Sequence, residues 1–243
     1  ETLIRSGHDA GMTQVSLETN ALLFKDAHRV ESLKEAGLSD TFVSFHSHRK
    51  VDFEKLTGVP GSYSDVIMGV KNLLKAGVPV HLNHVISTVN LPHLEEGARW
   101  LCDTFPGVSE VTLSVVAVLG AAVENLSLVP SLRELASPIG CAIDIFTAGG
   151  ITATIPGPCG VPQCVLPEHQ EAFVNERLRL ASPETLLTAA SDRVYGPQCK
   201  SCLKRSWCHG LWSGYGRLFG FEELVPFQAP TEHNTGSKRQ EHP

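Results

Sequence analysis

Between Thr13 and Leu119 short β-rich runs alternate with helical patterns, and this alternation constrains the fold more than any other feature of the chain. The strand candidates are Gln14–Thr19, Thr41–His46, Val78–Ile86 and Glu110–Val118. Between them Asp26–Ala36, Ser62–Ala76 and Pro92–Phe105 carry helical periodicity. Two of these helices run into Ala36-Gly37 and Ala76-Gly77, the pattern of a glycine C-cap. Ser62, with Asp65 three positions on, is expected to cap the middle helix at its N-terminus. Strand, helix and strand at this rhythm predict parallel βα units wound right-handed.

The strands themselves alternate. One face carries Val15 and Leu17, Val43 and Phe45, Val80 and Leu82, then Val111, Leu113 and Val115. The other carries Ser16, Glu18 and Asn20, Ser44, His46 and His48, His81 and Asn83, then Thr112 and Ser114. Parallel strands covered on both faces read as continuous apolar runs, which these do not. The pattern predicts a barrel or half-barrel with helices over the apolar face and a cavity along the polar one. A solvated antiparallel sheet is the alternative, and the intervening helices fit it poorly. In parallel α/β architectures chemistry sits at the carboxyl ends of strands. Glu18 to Asn20, His46 to His48 and His84 to Ser87 occupy those ends.

The last third of the chain is different. It holds Cys159-x4-Cys164 and Cys199-x2-Cys202-x5-Cys208, each framed by Gly and Pro that let the backbone curl. Soft thiolates at this spacing select zinc or an iron–sulfur cluster. His209, beside Cys208, keeps a Cys3His zinc site open. Cys102 and Cys141 lie in helical, apolar surroundings and read as core thiols. The first residues lack the basic start and apolar core of a secretory signal, so disulfides are disfavoured and a cytoplasmic location is expected. A formal charge of −6 leaves no electrostatic footprint for nucleic acid or acidic membrane, and no apolar run approaches a bilayer span. Residues 229–243 are almost devoid of apolar side chains and are expected to form a disordered tail.

Several segments in order resemble the radical SAM superfamily. Val15-Ser16-Leu17-Glu18-Thr19-Asn20 is similar to its "TNG" strand end. Leu33-Lys34-Glu35-Ala36-Gly37-Leu38, followed by Val43-Ser44-Phe45-His46-Ser47-His48, resembles its next unit. The likeness continues through Leu56–Ser62, Leu74–Val78, Asn83-x-Val85 and Asn90, covering about residues 1–125. Cys199-x2-Cys202-x5-Cys208 resembles the core of the SPASM-type extension, which holds an auxiliary [4Fe-4S] cluster. The resemblance implies a partial βα barrel over 1–125, of which the last four βα units are present. A connecting helix and strand over 126–158 and a Cys-rich region over 159–228 would follow. It implies an enzyme that cleaves S-adenosyl-L-methionine to a deoxyadenosyl radical and abstracts hydrogen from a peptide or small-molecule substrate, peptides being favoured. An electron donor such as flavodoxin or ferredoxin would serve it. Ser44 and His46 would lie near the ribose or carboxylate of the cofactor, and Asn83 likewise. Thr19 and Asn20 would border the pocket, and the Ala117-Val118-Leu119 backbone would meet adenine. The auxiliary cluster would use Cys199, Cys202 and Cys208 with Cys159 or Cys164, its potential influenced by Lys200, Lys204, Arg205 and His209 and shielded by Trp207, Trp212 and Tyr215.

Two departures accompany the resemblance. The family's Cys-x3-Cys-x2-Cys loop, which binds the second [4Fe-4S] cluster that cleaves the cofactor, is not in this sequence, nor is the Gly-Gly-Glu strand end. The expectation is a piece lacking the first two βα units, opening inside a helix that ends near Gly11 and inactive alone. In the commoner SPASM pattern a fourth cysteine follows the third after three intervening residues; Trp212 stands at that position.

Overall fold

The computed structural model describes residues 1–157, 159–174 and 192–228. The expected tail at 229–243 lies outside the described residues. Helix α1 (Thr2–Asp9) opens the chain, matching the helix expected before Gly11. Then come β1 (Ser16–Thr19), α2 (Ala27–Glu35), β2 (Asp40–Ser44), α3 (Lys50–Thr57), α4 (Tyr63–Lys75), β3 (Val80–Ile86), α5 (Leu94–Thr104) and β4 (Glu110–Val115). Helix α6 (Leu132–Ala148) leads to β5 (Thr152–Pro156) and β6 (Phe173–Val174). All of β1 to β6 form one sheet in chain order, every neighbour pair parallel.

A parallel sheet in unbroken chain order is singly wound: each right-handed crossover puts its helix on the same side. That is a partial βα barrel. It has six strands rather than the four expected, because β5 and β6 continue the sheet beyond β4. The chain between β5 and β6 carries only short 3-10 turns, so no amphipathic helix marks that last step in the sequence.

Burial follows the alternation. Val43, Phe45, Val80, Leu82, Val111 and Leu113 are buried under the helices. Each contributes about 1.5–3 kcal/mol relative to an exposed side chain. Phe45 anchors this layer, with Phe53, Trp100 and Phe105 at centroid distances of 5.5, 5.8 and 5.6 Å. Helices α2 and α4 end as expected: Gly37 and Gly77 take φ of +102° and +73°. The next amides, of Leu38 and Val78, reach back to the carbonyls of Leu33 and Leu73. The expected Ser62 cap is not made. Ser62 has helical backbone angles and its hydroxyl donates to the Val59 carbonyl at 2.7 Å, so it closes the preceding turn instead. At the other end of the barrel Ser131 and Glu134 form a reciprocal capping box on α6.

Beyond β6 the chain is built from short pieces. Strands β7 (Arg193–Val194) and β8 (Leu211–Trp212) pair antiparallel, and α7 (Ser213–Phe219) follows. The Cys199–Cys208 segment is the loop between β7 and β8, with a 3-10 turn over Pro197–Ser201.

Candidate functional site

The polar face of the sheet is internally bonded. Ser114 Oγ donates to Asn83 Oδ1 at 3.0 Å across the β3–β4 pair. Nearer the amino ends of the strands, Thr154 donates to Glu110 at 2.8 Å and stands 3.1 Å from the Thr112 hydroxyl, and His81 approaches the same carboxylate at 3.6 Å. Sequence reading did not link Glu110 to Thr154, because that contact depends on β5 pairing with β4.

At the carboxyl ends of the strands, Ser44 and Asn83 are register partners on β2 and β3. His46 follows Ser44 just past the end of β2. Its Nδ1 accepts the Val85 amide at 3.2 Å, which leaves the hydrogen on Nε2. Burial lowers the His46 pKa, so the ring is held neutral. Asn90 fixes this corner. Its Nδ2 donates to the carbonyls of His46 (2.6 Å) and Val85 (2.8 Å), and its Oδ1 accepts the Ser87 amide at 2.7 Å. His84, wholly buried, donates from Nδ1 to the Phe45 carbonyl at 2.9 Å. Burial, with a smaller contribution from His46, lowers its pKa to about 3.

Thr19 and Asn20 are spent on a turn. The Thr19 hydroxyl accepts the Ala21 amide at 3.0 Å and Asn20 Oδ1 accepts the Leu22 amide at 3.1 Å. Between them Ala21 sits at φ +58°, a left-handed conformation that costs a side-chain-bearing residue roughly 1–2 kcal/mol. Strain of this kind persists at sites where surrounding bonds over-determine the backbone. Leu119 is exposed and lies past β4, before a 3-10 turn. The structure therefore brings Ser44, His46 and Asn83 together, puts Thr19 and Asn20 at the neighbouring strand end, and leaves Leu119 outside that group.

Four of the five clustered cysteines line one cavity. Cys164 comes from the 3-10 turn after β5; Cys199, Cys202 and Cys208 come from the β7–β8 loop. The cavity is also walled by Tyr195, Lys204 and Arg205. Three cations rest on aromatic faces in this region: Arg205 over Tyr195 at 3.2 Å, Arg193 over Trp212 at 4.1 Å and Lys204 over Phe227 at 4.6 Å. The Tyr195 hydroxyl donates to the Cys208 carbonyl at 2.7 Å, and the Gly210 amide donates to Cys208 Sγ at 3.3 Å. Burial pushes the Cys164 thiol up to about 11, and Cys199 is raised for the same reason; the neighbouring thiolates raise both further. Such a group of thiols loses its protons when a cation arrives to neutralise them.

Cys159 is not in that cavity; its carbonyl accepts the Val115 amide at 2.8 Å beside the end of β4. His209 lines a separate hollow with Trp207 and Phe173. Among the described residues no three His, Cys, Asp or Glu groups close on a single metal ion. A tetrahedral zinc needs every sulfur within about 2.3 Å of one point, whereas a cubane core sets its ligands farther apart. Four thiols facing a shared hollow are a donor set of the kind that zinc and iron–sulfur centres both use. Cys102 packs against the core as expected. Trp207 is exposed, while Trp212 and Tyr215 border another hollow, with Val116 and Leu135. Arg193 and Tyr195 were missed by sequence reading; an Arg-x-Tyr pair just ahead of the cysteines was the available signal.

A singly wound parallel sheet with a polar inner face and a thiol-lined appendage defines the class: a partial βα barrel of the radical SAM type. No family model matches the chain. Over 112 residues, 46% of the chain, it is 37% identical to a probable GTP 3',8-cyclase of Sulfurisphaera tokodaii, covering 34% of that protein. Probable GTP 3',8-cyclases of Saccharolobus islandicus and Saccharolobus solfataricus are each 39% identical, over 89 and 90 residues, covering 36% of the chain and 28% of their own lengths. The chain thus spans about a third or less of the curated relatives it matches. These likenesses, over less than half of the chain, support the radical SAM resemblance of its ordered strand-end motifs. Among the described residues no helix is long and apolar enough to cross a membrane.

Proposed function

We propose that this chain is the cofactor-embracing and auxiliary-cluster part of a radical SAM enzyme, with a [4Fe-4S] cluster held by Cys164, Cys199, Cys202 and Cys208. The observation that carries the reading is the convergence of thiols from two separate segments on one cavity. When bound, the cluster would supply one-electron chemistry or an iron that binds substrate. The chain's own residues do the rest. The Gly210 amide and the Arg205 guanidinium offset negative charge on the sulfurs. Neutral His46, with Nε2–H free of the Val85 bond, presents a donor at the strand ends, and Asn83 and Ser44 flank it. Hydrogen bonds across the half-buried polar face, such as Ser114 to Asn83, keep this region ordered.

The Cys-x3-Cys-x2-Cys loop is not among the 243 residues, so reductive cleavage of S-adenosyl-L-methionine is assigned to a longer protein. The substrate we favour is a peptide or protein, by analogy with SPASM-type relatives. A nucleotide is the second reading: the relatives are named for GTP, and Lys204 and Arg205 wall the cavity.

Anoxic reconstitution tests the centre. A brown protein with iron and sulfide in equal amounts supports the proposal; a colourless protein holding stoichiometric zinc sinks it. The same preparation with dithionite and S-adenosyl-L-methionine is expected to yield no deoxyadenosine above background. Equilibrium dialysis against GTP then separates the two substrate readings.

A further inference from the structure

His48, in the loop after β2, carries a polar atom that the fold leaves unsatisfied. Its side chain is only 8% exposed, and its Nε2 is buried without a hydrogen-bond partner. That nitrogen faces Glu96 Oε1 at 3.4 Å, an approach that makes no hydrogen bond. The other oxygen of the same carboxylate, Oε2, stands 3.9 Å from His93 Nδ1. Two imidazoles thus straddle one carboxylate. His93 and Glu96 lie at the start of α5, whereas His48 comes from a loop far away in the chain. The His48 ring packs beside Trp100 with centroids 6.2 Å apart, and Gly97 leaves room for it: a Cβ there would lie 3.0 Å from Nδ1.

Two ligands about 2.1 Å from a tetrahedral metal stand about 3.4 Å from each other. Both nitrogen–oxygen separations are close to that value, although the three donors do not converge on one point as they stand. The Glu96 side chain, 69% exposed, has the room to rotate and close the set. We propose that His48 Nε2, His93 Nδ1 and the Glu96 carboxylate form a site for one divalent transition metal of the zinc class, with water in the remaining position. Imidazole donors disfavour calcium and magnesium, which take oxygen ligands. One internal cation competes. Arg49 Nη1 donates to His93 Nε2, which puts the hydrogen of a neutral ring on Nδ1. Coordination at Nδ1 moves that hydrogen to Nε2, so the guanidinium must release the ring. Asp52 Oδ2, 3.3 Å from the same Arg49 nitrogen, keeps the cation paired. The bound ion joins the loop after β2 to the start of α5, segments that Asn90 already ties through the His46 carbonyl. It therefore braces the corner that carries His46. The site is separate from the cysteine cavity and independent of the cluster reading.

Cobalt titration of the full chain tests the site, because thiolate and nitrogen–oxygen donors give different absorption. Binding at cysteines produces sulfur-to-cobalt charge-transfer bands; binding at His48, His93 and Glu96 produces weak d–d bands without them. The wild type is expected to hold one Co2+ of the second kind, displaced by Zn2+ and not by Mg2+. His93→Ala and Glu96→Gln should each weaken that ion roughly tenfold or more. Arg49→Gln should tighten it several-fold, since the competing cation is gone. Cobalt held only with charge-transfer bands would overturn the proposal. So would undiminished d–d bands in either α5 variant, or weaker binding in Arg49→Gln. Circular dichroism checks that each variant folds. A further readout needs no variant: the His48 and His93 ring resonances of the wild type should broaden with substoichiometric Co2+, and unaffected resonances would sink the site.

Discussion

The Tyr215 hydroxyl donates to Glu223 Oε2 at 2.6 Å and accepts the Leu132 amide, also at 2.6 Å. Glu223 in turn accepts the amides of Leu132 and Arg133 at 3.2 and 3.3 Å. A carboxylate and a phenol from the Cys-rich region therefore satisfy the first amides of α6, the helix that precedes β5. This latch ties the appendage to the barrel. Tyr215→Phe should cost about 1–2 kcal/mol, since it removes the donor to Glu223 and the shorter of the two bonds made by the Leu132 amide. Urea unfolding of the two proteins measures the difference.

The latch also has an alkaline limit. Burial, then the bond to Glu223, raises the Tyr215 pKa above its ordinary value. An unfolded tyrosine ionises near ~10, so above that pH the unfolded chain releases a proton the folded chain retains. Stability is expected to be fully present below about pH 10 and to fall as pH rises beyond it. The decline should be shallower in Tyr215→Phe. Equal slopes for both proteins would mean that the hydroxyl is not held as described.

On the acid side His84 dominates. Its pKa of about 3 lies well below the ordinary 6.5. Above 6.5 folded and unfolded forms are both neutral, and stability is complete. As pH falls, the unfolded chain takes up a proton that the folded chain refuses, and stability drains away until about pH 3. By pH ~4 the loss is about 3 kcal/mol. Thermal melts across this range check it, with His84→Gln expected to flatten the profile from a lower starting stability.

Asn90 holds His46 in place rather than touching the cavity's contents. Replacing it with Ala leaves the Ser87 amide and the carbonyls of His46 and Val85 without their partner. A loss of about 2–4 kcal/mol follows from several unsatisfied buried groups. The His46 ring resonances should shift in heteronuclear NMR, whereas Asn90→Asp should retain the Ser87 bond and recover part of the stability. An unmoved His46 spectrum in Asn90→Ala would remove the positioning role.

Much of the barrel was legible because the local rules agree with the global fold. Strands β1 to β4 differ from their expected spans by a few residues at most, and the polar and apolar faces fall where alternation put them. Helix α3 was not legible, since it buries only Phe53 and leaves no stripe to detect. The Ser62 cap failed because its hydroxyl found the Val59 carbonyl first, a choice made by the turn rather than by spacing. Among the site residues, Ser44, His46 and Asn83 could be grouped because they share a face and a level on adjacent strands. Cys159 and Cys164 could not be told apart from spacing. The path of the chain after β5 separates them, and that path is set by long-range packing.

That separation yields the sharpest test. Cys164 stands on the cavity with Cys199, Cys202 and Cys208, whereas Cys159 lies beside the end of β4. A cubane cluster needs a thiolate for each iron unless substrate or water takes one place. Cys164→Ala should therefore lower bound iron and sulfide and alter the visible spectrum of the reconstituted chain, while Cys159→Ala should leave both near the wild-type level. Small-residue replacement at either position removes a side chain of modest volume, so circular dichroism should remain native in both. If instead Cys159→Ala strips the iron and Cys164→Ala does not, the four-thiol cavity is not the cluster's seat, because a sulfur that lines it would then be dispensable while one outside its lining is required.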